Sequence, residues 1–342
     1  MDHLENPVIR PQIVQALTGF SEQTELALGI IEDDQIQLSG FQLKQGELIP
    51  ADNKHHLFEA GSITKTLVGH VLAKQVIAGQ LQLDDRCQHF IKQPIHSEGP
   101  TLKALATHTA GLPRLPPGLI WKSLFKHRDN PYKDWDENQL MYYLQHSLTN
   151  KPTKRIGYSN LGFGILGFLL QQHSQLSFHQ LMTDFLFHPL GMTNSICNRE
   201  LATQPIIQGL NKHGQATPHW DLAAMAGAGA ALTSIHDLSL FARHLMHADP
   251  AATLQKTIQV ENKMISSALG LLVVDQQKYP ERFFFHNGGT GGFSSALLID
   301  NEEKRGVVAL SNISGLHKMK GGRVDNLVFA IMKALVNPGN KG

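Results

Sequence analysis

Gly61-Ser62-Ile63-Thr64-Lys65 opens a run, Gly61 to Ala78, in which Ile63, Leu67, Val71, Leu72 and Val76 recur at helical spacing, and Gly79 is a suitable left-handed stop. Residues three apart on a helix share a face, so the Ser62 hydroxyl and the Lys65 amine can meet without help from a tertiary contact. A serine hydroxyl is a weak nucleophile until a neighbouring base takes its proton. A lysine held beside it in a desolvated site can have its pKa lowered enough to be that base. The spacing alone does not decide the matter, because Ser123-Leu124-Phe125-Lys126 repeats it with nothing around it that reads as a site. A serine at a helix start also commonly serves only to satisfy backbone donors.

Two further motifs follow in order. Tyr158-Ser159-Asn160 comes after Pro152 and Gly157 and just before an apolar helix. His286-Asn287-Gly288-Gly289-Thr290-Gly291-Gly292 lies between two apolar strand patterns, Arg282 to Phe285 and Phe293 to Ile299. On its own the glycine run reads as a turn between those strands. Leu57 to Ala60 leading into Ser62, Thr101 to Pro113, Pro189 to Thr193 and Ala226 to Ala230 complete the set. Together these motifs resemble the serine β-lactamase and penicillin-binding protein superfamily, in its class C-like branch of β-lactamases, D-amino-acid peptidases and carboxylesterases. The resemblance runs from about residue 25 to about residue 315.

The resemblance implies roles for the matching residues. Ser62 is the nucleophile, Lys65 its amine, and Tyr158 the group that shuttles a proton between nucleophile, lysine and leaving group. Asn160 matches a position that hydrogen-bonds the lysine and the substrate acyl side chain, while its position before a helix equally suits an N-cap, and both can hold. Gly289 would join the Ser62 amide as an oxyanion hole, with His286, Asn287 and Gly288 along the substrate. His286 stands where class C β-lactamases carry lysine, which puts efficient β-lactam hydrolysis in doubt and leaves acyl transfer intact. An imidazole there, with a reference pKa of about 6.5, is expected to be partly charged at neutral pH and to face a substrate carboxylate.

Composition excludes other classes. With 30 basic and 29 acidic side chains the net charge is +1, which offers no electrostatic reason to expect nucleic acid or an anionic membrane. No stretch approaches a membrane span. The 19 histidines include a His-x-x-His at His244 and His247, yet no metalloenzyme signature appears, so neither a metal nor an organic cofactor is expected. Cys87 and Cys197 are too few for a disulfide framework and read as two buried thiols. Met1 to Asn6 has neither a basic nor an apolar signal region, so the chain as given is expected in the cytoplasm, or in the periplasm or outside the cell if it is a mature form.

The hydrophobic periods set the fold class. Thr24 to Glu32 and Gln35 to Gln42, separated by Asp33-Asp34, predict a β-hairpin. Helical patterns follow at Thr101 to Thr107, Glu137 to Ser147, Asn160 to His173 and Phe178 to Phe187, and a capping box at Ser234 to Asp237 opens a helix to His247. Strand patterns return at Ile265 to Val274, Glu281 to His286, Phe293 to Asp300 and Gly306 to Ser311, before a helix from Val324 to Leu335. Strands at both chain ends must pair with each other. The expected fold is α+β, β-lactamase/transpeptidase-like: an antiparallel sheet flanked by terminal helices (1–72 and 255–342) with a mostly helical domain (73–254) inserted and a cleft where the two meet. The irregular stretch from Leu112 to Trp135 is expected to lie over that cleft.

The function that follows is a β-lactamase-like serine hydrolase forming an acyl-enzyme on Ser62. Its substrate is a small molecule: a β-lactam, a D-amino-acid peptide or a small ester. A different class of function is a sensor that a β-lactam acylates without turnover.

Overall fold

The computed structural model describes residues 6–119, 130–149, 151–261, 265–275, 282–317 and 322–336. Its frame is an eight-stranded sheet in the order β3-β2-β1-β10-β9-β8-β7-β6. β1 (Glu25–Glu32), β2 (Gln35–Lys44) and β3 (Glu47–Pro50) come from the N-terminal end. β6 (Ile265–Ser267), β7 (Leu272–Asp275), β8 (Arg282–Gly289), β9 (Ser294–Asp300) and β10 (Arg305–Ser311) come from the C-terminal end. The two sets join where β1 pairs antiparallel with β10, from Leu26↔Ser311 to Glu32↔Arg305.

The hairpin between β1 and β2 has a two-residue loop, Asp33-Asp34, with φ of 47° and 71°. Left-handed values at both positions suit the right-handed twist of the strands. β1 is buried along most of its length because both sheet faces are covered. Leu26, Leu28 and Ile30 pack under α1 (Ile9–Leu17) and the last helix, α9 (Arg323–Val336), while Ala27 and Ile31 belong to the larger core on the other face. There α7 (Ile235–Leu245) crosses β1 so closely that a Cβ on Gly29 would stand 2.2 Å from Ser239 Oγ.

Between the strand sets lie α2 (Thr64–Ile77), α3 (Leu102–Ala106), α4 (Glu137–His146), α5 (Asn160–Ser174) and α6 (Phe178–Met182), with α7 and α8 (Pro250–Lys256) completing the helices. β4 (Phe58–Glu59) and β5 (Leu232–Thr233) form a separate pair.

Three sequence expectations need correction. The run Ile265 to Val274 is two strands, broken where Gly270 takes φ +71°. The glycines of the 286–292 run are not a turn from their start: β8 continues through Gly289, and the chain bends only afterwards. The box at α7 is half made. Ser234 accepts from the Asp237 amide, but the Asp237 carboxylate accepts instead from the Asn194 amide at 2.8 Å and the Ser195 hydroxyl at 2.9 Å. Cys87 and Cys197 are both unpaired; burial pushes the Cys87 thiol up to about 12. Ser123 and Lys126, the second copy of the spacing, lie outside the described residues.

Candidate active site

Ser62 sits in a single 3₁₀ turn, Gly61–Ile63, that runs straight into α2. Gly61 has φ +50°, and a Cβ there would stand 2.8 Å from the Gly289 amide nitrogen. A Cβ on Gly288 would fall 2.1 Å from the Ala60 carbonyl and 3.0 Å from the Ser62 amide nitrogen. Glycine at 61 and 288 therefore lets the turn press against β8 backbone to backbone, bringing the Ser62 and Gly289 amides side by side. β7 pairs with β8 only as far as Phe285, so His286 to Gly289 overhang it and are paired on one side only, with β9.

Lys65 is fully buried, and its Nζ lies 3.0 Å from Ser62 Oγ and 2.7 Å from the Ala228 carbonyl. Desolvation, with the Arg114 guanidinium adding to it, holds the amine well below the ordinary lysine range. Small residues set up the carbonyl contact. Gly167 on α5 meets Gly227 with room for no Cβ, since one would stand 2.9 Å from the Gly227 Cα. That close approach carries Ala228 onto the lysine.

Tyr158 presents its ring to the lysine, with Nζ 4.9 Å from the centroid, and lines the cleft together with Ser62. Burial pushes the phenol up to about 12. Burial thus shifts both amine and phenol toward their neutral forms. One is then a proton acceptor and the other a donor, the pattern by which burial assigns opposite roles to neighbouring groups. His108, with φ +59°, lies against Tyr158 at a centroid distance of 4.5 Å, and its Nδ1 accepts the Ser159 amide at 3.1 Å. It positions the Tyr158-Ser159 turn as a neutral imidazole, because burial holds its pKa well below the ordinary value.

Asn160 lines the cleft but makes neither the expected lysine contact nor the N-cap. The N-cap of α5 is Ser159, whose hydroxyl accepts the Gly162 amide at 2.9 Å. The Asn160 side chain donates to the Tyr132 hydroxyl at 2.8 Å, and among the described hydrogen bonds Lys65 has no partner in Asn160. The Lys65 contact falls to Ala228 instead, whose backbone carbonyl stands 2.7 Å from Nζ.

His286 needs the larger correction. It is 1% exposed, its Nδ1 donates to the Asn287 carbonyl at 2.7 Å, and burial, assisted by Lys65, lowers its pKa to about 3. It is neutral across the neutral range and does not line the cleft, so it is no charged contact for a carboxylate. Asn287 does line the cleft, with its side-chain amide tied to Asp325 of α9 at 2.7 Å.

The cleft measures about 630 Å³ and is lined by Ser62, Tyr158, Asn160, Asn287, Gly288 and Gly289 together with Arg114, Leu115, Leu119, Tyr132, Trp220 and Leu316, among others. Among the described residues the cation lining the cleft is Arg114, which lies 5.0 Å over the Tyr158 ring. The described residues of the expected loop from Leu112 to Trp135 supply five lining positions: Arg114, Leu115, Leu119, Pro131 and Tyr132. Arg114, His108, Tyr132 and the Ala228 carbonyl are site groups that sequence reasoning missed. Arg114 follows directly on the Thr101 to Pro113 phrase, which was the available signal.

The beta-lactamase family model matches residues 13–328. Protein flp of Staphylococcus aureus (strain MW2) is 24% identical over 275 residues, 75% of this chain and 53% of that protein. A beta-lactamase of Providencia stuartii is 28% identical over 216 residues, 61% of this chain and 50% of that protein. The chain spans about half the length of these curated relatives. The octameric penicillin-binding protein homologue from Pyrococcus abyssi superposes with a TM-score of 0.79 at 22% identity, covering 98% of this chain and 78% of that one. The beta-lactamase/D-alanine carboxypeptidase from Yersinia pestis, complexed with citrate, gives 0.74 at 19%, covering 95% and 99%. At such identities the structural likeness speaks for the fold.

Proposed function

The chain belongs to the beta-lactamase family, and from that premise we propose that it hydrolyses a carboxylate-bearing β-lactam or D-amino-acid peptide through an acyl-enzyme on Ser62. The observation that carries the reading is the buried Lys65 amine, 3.0 Å from the Ser62 hydroxyl and held well below the ordinary lysine pKa. Ser62 Oγ attacks the substrate carbonyl carbon as its proton passes to the neutral amine. The developing oxyanion accepts from the Ser62 and Gly289 amides. As the tetrahedral carbon collapses, the leaving group takes the Tyr158 phenol proton, and Lys65 returns its own to the phenolate. Water then attacks the acyl carbon, Ser62 is regenerated, and the acid is released.

The preference for an anionic substrate rests on Arg114, whose guanidinium stands in the cleft where His286 supplies no charge. A small neutral ester fits the same chemistry but leaves that cation unused. The test is intact-mass spectrometry with penicillin and a fluorophosphonate, run beside turnover assays on a chromogenic cephalosporin, a D-alanyl peptide and p-nitrophenyl butyrate. Wild type should label at Ser62 and Ser62→Ala should neither label nor turn over, with its fold unchanged. Stoichiometric labelling of Ser62→Ala at another serine overturns the assignment. A penicillin adduct that persists, with no turnover of any substrate, makes the protein a sensor.

A further inference from the structure

Away from the cleft, α2 carries a second buried base, His70, 1% exposed and hydrogen-bonded to Gln255 of α8. His70, His244 in the last turn of α7 and Asp249 at the N-cap of α8 each offer a ligand atom, and these atoms lie within 4.8 Å of one another. None of the three lines the cleft. His244 Nε2 is buried without a hydrogen-bond partner among the described residues, 3.6 Å from Asp249 Oδ1.

The His70 tautomer is settled by Gln255. Its amide nitrogen donates to the Thr66 carbonyl at 2.7 Å and the Leu269 carbonyl at 3.3 Å, so its oxygen can only accept. It accepts from His70 Nδ1 at 2.9 Å. His70 therefore carries its proton on Nδ1 and a lone pair on Nε2. A carbonyl-type acceptor fixing the far nitrogen is how ligating histidines are oriented. Asp249 uses Oδ1 to cap α8, accepting the Ala252 amide at 2.9 Å.

We propose that His70, His244 and Asp249 form a binding site for a divalent metal of the zinc class, with water completing the coordination. Two imidazoles and a carboxylate suit such a metal in geometry and softness. Ligand atoms around tetrahedral zinc stand about 3.4 Å apart, given Zn–N lengths of about 2.0–2.1 Å, so side-chain closure of up to about 1.4 Å completes the site. Entry is open on the Asp249 side, where the carboxylate is 37% exposed. The cations facing the cluster are Lys74 and Lys256, with His247 nearby. Lys256 is held by Asn301 and His247 by Asp34, so neither competes for Asp249. The metal would clamp α2, the helix that carries Lys65, to α7 and α8.

The test uses the full chain after chelator treatment, titrated with Zn²⁺ by calorimetry and with Co²⁺ by visible absorption, alongside melting curves. One Zn²⁺ per chain should bind, the melting temperature should rise, and Co²⁺ should acquire the absorption of a low-coordinate nitrogen-ligated ion. Asp249→Asn retains a helix cap while removing the charge, and should weaken binding about tenfold or more, as should His244→Gln. His213→Gln, an exposed histidine, should change nothing. Binding unaltered in both ligand variants, or no shift in melting or Co²⁺ absorption, overturns the site.

Discussion

Lys65 and His70 stand five residues apart on α2, both buried and both poor proton acceptors relative to their kind in water. Desolvation is the leading cause in each case. Their neighbours differ. Lys65 donates to the Ala228 carbonyl and has the Ser62 hydroxyl as its second contact, so a neutral amine there has that hydroxyl within reach of its lone pair. His70 gives its only N–H to Gln255, which leaves its lone pair for something outside the helix. Burial weakens the hold on the proton in both; the hydrogen-bonded neighbour decides what a freed lone pair can reach.

The comparison breaks most sharply at Lys65. Lys65→Met keeps an unbranched buried side chain and deletes the base, and turnover should fall about 10³-fold. Stability should hold or rise, since an uncompensated buried amine is replaced by apolar atoms. In the wild type, kcat should climb with pH through a limb well below the ordinary lysine value of 10.5. A Lys65→Met enzyme that keeps this limb shows that another group is the base.

At the His70 end the expected effect is on stability. Its folded pKa, about 4, lies below the unfolded value of 6.5. Between these values the unfolded chain binds a proton that the folded one refuses, so stability is full above about 6.5 and falls as pH drops toward 4. The loss approaches roughly 3 kcal/mol, from a shift of about 2.5 units. Denaturation curves in metal-free buffer should show a shallower acid slope for His70→Gln than for wild type; equal slopes mean His70 is not held neutral by burial.

Tyr158→Phe sharpens the Lys65 side by removing the donor and keeping the ring. Turnover should drop about a hundredfold with little change in melting temperature. Near wild-type rates on every substrate would assign the leaving-group proton to Lys65 or water. The smallest effect is expected at Arg114, which is exposed and screened. Arg114→Gln should lower kcat/KM about tenfold for carboxylate-bearing substrates and leave neutral esters unchanged. Equal losses on both substrate types would make Arg114 a packing partner of Tyr158 rather than an anion contact.

Much of the frame was legible because local patterns and global contacts agree. The Asp33-Asp34 break between two strand patterns is the hairpin turn, and the helical spacing after Ser62 is α2. What was not legible involves distances along the chain. β3 is four residues with no strong alternation, and its pairing with β2 depends on the neighbouring turn at Gln45 and Gly46. The charge of His286 could not be read from its motif, since its lowered pKa comes from burial, with Tyr158 against its ring and Lys65 nearby, both distant along the chain. Arg114 looks like any loop arginine until residues 114–119 and 131–132 are wrapped over Ser62.

The residue types in order along the chain determined the α+β antiparallel frame and the meeting of Ser62 with Lys65, because helix geometry needs only a three-residue spacing and strand alternation needs only its neighbours. The tertiary structure alone decided which nitrogens burial pushes toward neutrality, that Ala228 rather than Asn160 meets the lysine, and that among the described residues the cation lining the cleft is Arg114 rather than His286. Those outcomes depend on desolvation and on contacts between distant segments, as where Gly167 meets Gly227 and Gly288 meets Ala60, and neither is encoded in a local pattern.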